Sequence, residues 1–315
     1  MYPDIEPHDQ GMLAVGDGHS IYWESCGSPT GTPAVYVHGG PGSGCTAGVR
    51  RFFDPEKYRI ILFDQRGSGR SQPLLTHKSQ LQANTTQHLI RDLEALRAHL
   101  AIEQWLMLGV SWGTTLALAY AEEYPNRVAA LVLACVTTTS RREVDWITRG
   151  VGAIFPRQWE QFAAHIPESL KNERIIDAYA KLLFDEDPAV CAAAAEQWCD
   201  WEESHVSLVP RQAPNPRFLD PDFRLRFARL VTHYWRNAAF LEEEQLVRNA
   251  ASLRQIPGVL IHGRYDVSSP LQTAWLLHRN WPASELRVVD DAGHGGDSLF
   301  DEIVGALDRF ATAPG

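Results

Sequence analysis

Short apolar runs rich in β-branched residues alternate along this chain with longer segments of helical periodicity. Ala34–Val37, Ile60–Phe63, Trp105–Leu108, Val128–Ala134, Val259–Ile261 and Leu286–Val289 each predict a buried strand. Leu89, Leu93, Leu96 and Leu100 recur at spacings of four, three and four, on one face of a helix. A second helix is predicted just after Ser111, through Thr114–Glu123. Near-continuous apolar strands separated by helices need cover on both faces, so the pattern predicts a doubly wound, mostly parallel α/β sheet. Met12–Val15 and Ile21–Glu24, around Gly16-Asp17-Gly18, predict instead an antiparallel edge hairpin.

The rhythm breaks between about Thr137 and Ala250. That stretch has helical patterning, an alanine run at Ala192–Ala195, and prolines at 210, 214, 216 and 221 that predict an internal loop. It also holds Trp146, Trp159, Trp198, Trp201 and Trp235, five of the ten tryptophans. These residues either line a pocket or form a core, and core is the expectation for each singly. The division expected is a sheet domain of 1–136 and 251–315 interrupted by a helical cap of 137–250.

Charge narrows the partners. Against 39 Asp and Glu stand 29 Lys and Arg, a formal net charge of −10. Nucleic acid and anionic membranes both need concentrated positive charge, so neither is expected as a partner. With 44% hydrophobic residues, a sizeable core is expected. No apolar run approaches the ~18 residues of a membrane span. Met1-Tyr2-Pro3-Asp4-Ile5-Glu6 lacks the basic and apolar regions of a signal peptide. A cytoplasmic protein is expected. The five cysteines, Cys26, Cys45, Cys135, Cys191 and Cys199, form no C-x-x-C pair, and no H-E-x-x-H occurs. They read as small buried apolar residues, and no metal or organic cofactor is expected.

Gly109-Val110-Ser111-Trp112-Gly113 joins a predicted strand to a predicted helix. A G-x-S-x-G run in that setting is a nucleophile elbow, which lifts the serine hydroxyl above the sheet edge on a strained turn. The serine needs a base, and the base an orienting carboxylate. Strand Val259–Ile261 runs on through His262-Gly263-Arg264-Tyr265 to Asp266, and Leu286–Val289 through Asp290-Asp291-Ala292-Gly293 to His294. Ser111, Asp266 and His294 follow the chain order expected of a triad on this scaffold. Asp290 and Asp291 are competing acids, on a strand end. His38-Gly39-Gly40-Pro41-Gly42, after Ala34–Val37, matches a glycine-rich oxyanion loop, with the amides of Gly40 and Trp112 as donors. No G-K-[ST] follows these glycines, so phosphate binding is excluded. A serine nucleophile implies an acyl-enzyme and an ester, amide or peptide substrate.

Together these motifs resemble the proline iminopeptidases of the α/β-hydrolase fold. The resemblance extends to Asp64-Gln65-Arg66-Gly67-Ser68-Gly69-Arg70-Ser71, Pro270-Leu271-Gln272 and Trp281-Pro282. It implies the Ser111–Asp266–His294 triad and a helical cap. It further implies that Glu202, in Trp201-Glu202, anchors a substrate's free ammonium. Glu203 should point elsewhere, about 100° around the helix. The family's second amine-binding glutamate falls on Val231, and an arginine and a phenylalanine of its substrate pocket fall on Ala134 and Thr137. A carboxylate from Glu242-Glu243-Glu244 is a candidate substitute, although such a run reads first as a solvated helix face.

The leading expectation is a serine aminopeptidase acting on a small peptide or aminoacyl amide. An esterase or amidase whose substrate lacks a free amine is the alternative that Val231, Ala134 and Thr137 motivate. A non-catalytic binding protein would require a broken triad, and all three members are present.

Overall fold

A computed structural model describes residues 1–206, 208 and 215–311. Pro210 and Pro214 lie outside the described residues. Eight strands form one sheet: β1 (Asp9–Gly16), β2 (His19–Gly27), β3 (Thr32–Val37), β4 (Tyr58–Phe63), β5 (Trp105–Val110), β6 (Val128–Ala134), β7 (Gly258–Gly263) and β8 (Ser284–Val289). Their order is β1-β2-β4-β3-β5-β6-β7-β8. The β1–β2 hairpin is antiparallel and β2 pairs antiparallel with β4. Every pairing from β4 to β8 is parallel.

Side chains alternate between two cores, as the two-residue period of a strand requires. Val35, Val37, Ile61, Phe63, Met107, Leu131, Leu133 and Leu260 face one way. There they meet Leu89, Leu93 and Leu96 of α1 (Thr86–His99) and Leu116 and Tyr120 of α2 (Trp112–Glu123). Tyr36, Ile60, Leu62, Leu106, Leu108, Val132 and Ile261 face the other way, against Leu299, Ile303 and Leu307 of a C-terminal helix, Asp297–Phe310. Both faces are covered, which is why the central strands read as unbroken apolar runs.

Between β6 and β7 the chain builds a third core of its own. It joins α3 (Arg141–Thr148), α4 (Pro156–Ala164), α5 (Ile175–Leu182), α6 (Pro188–His205) and α7 (Pro221–Arg236). Local chemistry sets where these helices start. Ser140 and Glu143 form a reciprocal capping box at α3. The carboxylates of Asp187 and Asp220 accept from Ala189 and Asp222 and cap α6 and α7, each with proline at the first helical position. Pro216 opens a short 3-10 turn ahead of α7.

All five tryptophans belong to this core or pack against it: Trp198 and Trp201 are buried in it, with Trp146, Trp159 and Trp235 at its margin. Trp235 also reaches the pocket described below. Val231 is fully buried here. Further along, α8 (Gln245–Arg248) contributes Leu246 and Val247 to the sheet core instead. α9 (Leu271–Asn280) follows β7, and the C-terminal helix is α10. No helix of the described residues is long and apolar enough to cross a membrane.

Candidate active site

Ser111 stands between β5 and α2 with φ +56° and ψ −126°, a backbone conformation that costs a non-glycine residue about 1–3 kcal/mol. The turn that imposes it is locked by steric contact. A Cβ on Gly113 would lie 2.0 Å from the Val37 carbonyl oxygen, so only glycine lets α2 pass that close to β3. Ser111 N–H donates to the Ala134 carbonyl at 2.9 Å. The hydroxyl is thereby aimed into a pocket of about 280 Å³ lined by residues of the sheet loops and of α3, α6 and α7.

His294, on the loop after β8, reaches the hydroxyl: Nε2 lies 3.0 Å from Ser111 Oγ. Its Nδ1 lies 2.7 Å from Asp266 Oδ2. Asp266 is wholly buried and is steadied at its other oxygen by the Ser269 amide, 2.9 Å away. Burial alone would raise the Asp266 carboxyl. His294, His262 and the Ser269 N–H outweigh it and hold the group below the usual carboxylate range. Asp290 and Asp291 are committed elsewhere, to Arg264 at 2.8 Å and to Ser298 at 2.9 Å.

A buried histidine braces this acid from beneath. His262 Nδ1 accepts the Val136 N–H at 3.1 Å, so its proton sits on Nε2, which donates to the Ser269 carbonyl at 2.5 Å. Burial lowers its proton affinity and keeps it neutral. It fixes the turn that presents Asp266, four residues on.

Gly39 and Gly40 border the hydroxyl on the other side: a Cβ on Gly39 would come within 3.2 Å of the Ser111 Cβ. Neither the Gly40 amide nor the Trp112 amide donates to a protein acceptor among the described residues. The Trp112 amide is one of the four that begin α2 without an intrahelical partner. Two such groups beside a nucleophile can receive a developing oxyanion.

The loop that carries Gly40 is held by Gln65. Its Nε2 donates to the His38 carbonyl at 2.9 Å, and its Oε1 accepts the Trp112 indole N–H at 2.9 Å. Its backbone N–H donates to His38 Nε2 at 3.0 Å, leaving the His38 Nδ1 proton for the Gly39 carbonyl at 2.9 Å. Asp64 ties the same region together, accepting from the amides of Cys45 and Arg70 and from Arg70 Nε. Gly69 has φ +55°, and a Cβ there would sit 2.4 Å from the Asp64 carboxyl carbon. The Asp64–Ser71 run is thus a clamp beneath the loop that carries Gly40.

Glu202 lines the pocket from α6 and lies 3.9 Å from His205 Nε2. Glu203 lines it too, despite the angle between them, and accepts from the Asn215 amide at 3.1 Å. Thr137 contributes to the wall, whereas Ala134 and Val231 are buried away from it. Glu242, Glu243 and Glu244 pair with Arg248, Arg141 and Arg142 outside the pocket lining. None of them replaces the carboxylate absent at Val231. Glu143 also lines the pocket, but its carboxylate is engaged by Thr138, Ser140 and Thr273. Sequence reasoning missed His262, Gln65, His205, Glu143 and Arg217. Only the first two stood inside motifs already singled out.

Among the described residues, Cys135, Asp266 and His294 are the one cluster close enough to share a metal ion. Cys135 is buried, which pushes its thiol well above the usual range and disfavours the thiolate a metal needs. The imidazole and carboxylate are bonded to each other instead.

Comparison with known proteins agrees with this architecture. An α/β hydrolase fold family profile matches residues 32–296. A probable proline iminopeptidase of Streptomyces coelicolor is 48% identical over 99% of this chain and 98% of its own. The proline iminopeptidase of Arabidopsis thaliana is 44% identical over 100% of this chain and 83% of its own. Among solved structures, the proline iminopeptidase of Mycobacterium smegmatis matches at a TM-score of 0.67 and 20% identity, covering 96% of this chain and 97% of that one. The last likeness is one of fold; the first two, over the whole length, are of sequence. The chain belongs to the proline iminopeptidase family of α/β hydrolases.

Proposed function

We propose that the protein is a serine aminopeptidase that removes an N-terminal proline or proline-like residue from short peptides or aminoacyl amides. The observation that carries this reading is the bonded series Ser111–His294–Asp266 at the floor of a pocket with Glu202 in its wall. Ser111 Oγ attacks the scissile carbonyl carbon while His294 Nε2 takes its proton. The carbonyl oxygen, now negative, is met by the Gly40 and Trp112 amides, each worth about 3 kcal/mol in the transition state. The C–N bond breaks as His294 returns the proton to the leaving amine. Water then attacks the acyl-enzyme, with His294 again the base, and releases the N-terminal residue. Asp266 holds the Nδ1 proton and steadies the imidazolium. Glu202 meets the substrate ammonium, which is costly to bury without a carboxylate.

Segment 137–250 serves in this reading as a cap, supplying α6 and α7 as the selecting wall. All five cysteines are free thiols, which suits the reducing cytoplasm.

Prolyl and alanyl arylamides compared with their N-acetylated forms test the assignment. Cleavage confined to the free amines is expected, as is a loss of about 10⁶-fold in kcat for Ser111→Ala. Near-wild-type turnover in that variant overturns the nucleophile. Undiminished cleavage after N-acetylation overturns the ammonium anchor and selects the esterase or amidase reading, which the apolar Val231 favours.

A further inference from the structure

One side chain of the pocket has a charge that the reaction above does not use. Arg217, in the 3-10 turn ahead of α7, lines the same pocket as Glu202, together with Tyr36, Ser43 and Phe223. Its Nη1 donates to the Ser43 carbonyl at 2.6 Å, and its guanidinium carbon lies 5.1 Å from the Phe223 ring centre. The other buried or half-buried arginines of the sheet loops each meet an acid: Arg50 meets Glu24, Arg66 meets Asp92 and Arg70 meets Asp64. Among the described residues, no carboxylate pairs with Arg217. Burial lowers its proton affinity more than Tyr36 and Cys45 raise it, yet an arginine stays charged throughout the working range. Ser43 uses one of five N–H donors, so a planar fork remains for an anion.

Sheet order places this fork relative to the nucleophile. Ser43 follows β3, on one side of β5 and Ser111; Ser268 and His205, next to Glu202, gather over β7, on the other. Three strand spacings separate β3 from β7, about 14 Å. At about 3.4 Å per extended residue, a gap of that width or less is bridged by a peptide of no more than about four residues. An acid at one end and a guanidinium at the other complement a molecule with a free ammonium and a free carboxylate a few bonds apart.

We propose that Arg217 binds the C-terminal carboxylate of the leaving group, making the enzyme selective for dipeptides and tripeptides over longer chains and C-terminal amides. The proposal rests on the aminopeptidase reading above, since it takes Glu202 as the anchor of the opposite end.

The test is the ratio of kcat/KM for prolyl-alanine to that for prolyl-alaninamide, in the wild type and in Arg217→Met and Arg217→Lys. A wild-type ratio of at least about tenfold is expected, the worth of a charge-assisted pair. Arg217→Met should bring it near one, and Arg217→Lys should leave it between. A wild-type ratio near one, or an unaltered ratio in Arg217→Met, overturns the proposal. Should Arg217→Met not fold, competition on the wild type decides: N-acetyl-alanine must inhibit at least about tenfold better than N-acetyl-alaninamide, and equal inhibition overturns the proposal. Failure of the aminopeptidase reading itself shows separately, as the absence of cleavage of every aminoacyl substrate. Arg217 is then read on simple esters, 4-acetoxybenzoate against 4-acetoxybenzamide, by the same ratio and with the same overturning result.

Discussion

The indole of Trp112 donates to the side-chain oxygen of Gln65 across 2.9 Å, and the other end of that amide holds the His38 carbonyl at the same distance. One buried side chain therefore sets the spacing between the two amides proposed to receive the oxyanion. Gln65→Leu should lower kcat for arylamides by about 10- to 100-fold, the effect of losing two buried hydrogen bonds at about 1.4–2.7 kcal/mol combined in the transition state. KM should move little. Steady-state kinetics with a short prolyl arylamide settles it, and a rise in KM at constant kcat would assign Gln65 to substrate binding instead.

Asp266→Asn tests the role of the acid without changing its size. Asparagine can turn its NH₂ toward His294 Nδ1, which then becomes the acceptor and leaves the proton on Nε2, facing Ser111. A base in the wrong tautomer costs about 10⁴ in kcat. A loss below tenfold would remove Asp266 from the mechanism.

Gly113→Ala should destabilise the fold rather than alter chemistry. Its methyl would meet the Val37 carbonyl oxygen 2.0 Å away, backbone against backbone. A cost above about 3 kcal/mol is expected, since neither strand nor helix can yield alone. Thermal unfolding measures it; a melting temperature within two or three degrees of wild type, on the scale of about 1 kcal/mol or less, would refute the contact.

Three histidines around the site, His38, His205 and His262, are held neutral by burial, His205 down to about 3. In the unfolded chain an imidazole takes its proton near pH 6.5. Below that pH the unfolded state binds more protons than the folded one, so stability is complete above about 6.5 and falls as pH drops. The carboxylates work in a lower window. Burial opposes the charge on Asp64, but Arg70, His38 and two backbone amides outweigh it and hold the group below its ordinary value. Its contribution, like that of Asp266, is lost only below about pH 4. His205→Gln should remove up to about 1.4 kcal/mol per pH unit from the slope between pH 6 and 4.5, read by urea unfolding. An unchanged slope would mean that His205 titrates normally.

Much of this architecture was legible in the residue pattern. The six strands β3 to β8 announce themselves as apolar runs, the central ones because both faces of the sheet are covered, while β1 and β2 are legible only as an edge hairpin around the turn at Gly16-Asp17-Gly18. Ser111, Asp266 and His294 could be read because each ends a strand within a recognisable run. The braces could not be. Thr273 reaches Glu143 from 130 residues away and Tyr234 reaches Asn84 from 150, pairings that no periodicity encodes. Arg217 gave no signal either: an arginine before a helix reads as solvated until tertiary contacts leave its charge in a pocket. The separation of Glu202 and Glu203 on a helical wheel likewise misled, since the pocket is broad enough to be lined by both.

The hydroxyl and the imidazole that meet at 3.0 Å are 183 residues apart, and the imidazole arrives on the loop after the last strand. On the proposed mechanism, a nascent chain leaving the ribosome carries an inert serine until β8 has emerged and docked. Turnover by that mechanism is consequently a gauge of finished folding, and the cell meets no partly folded active hydrolase on the way.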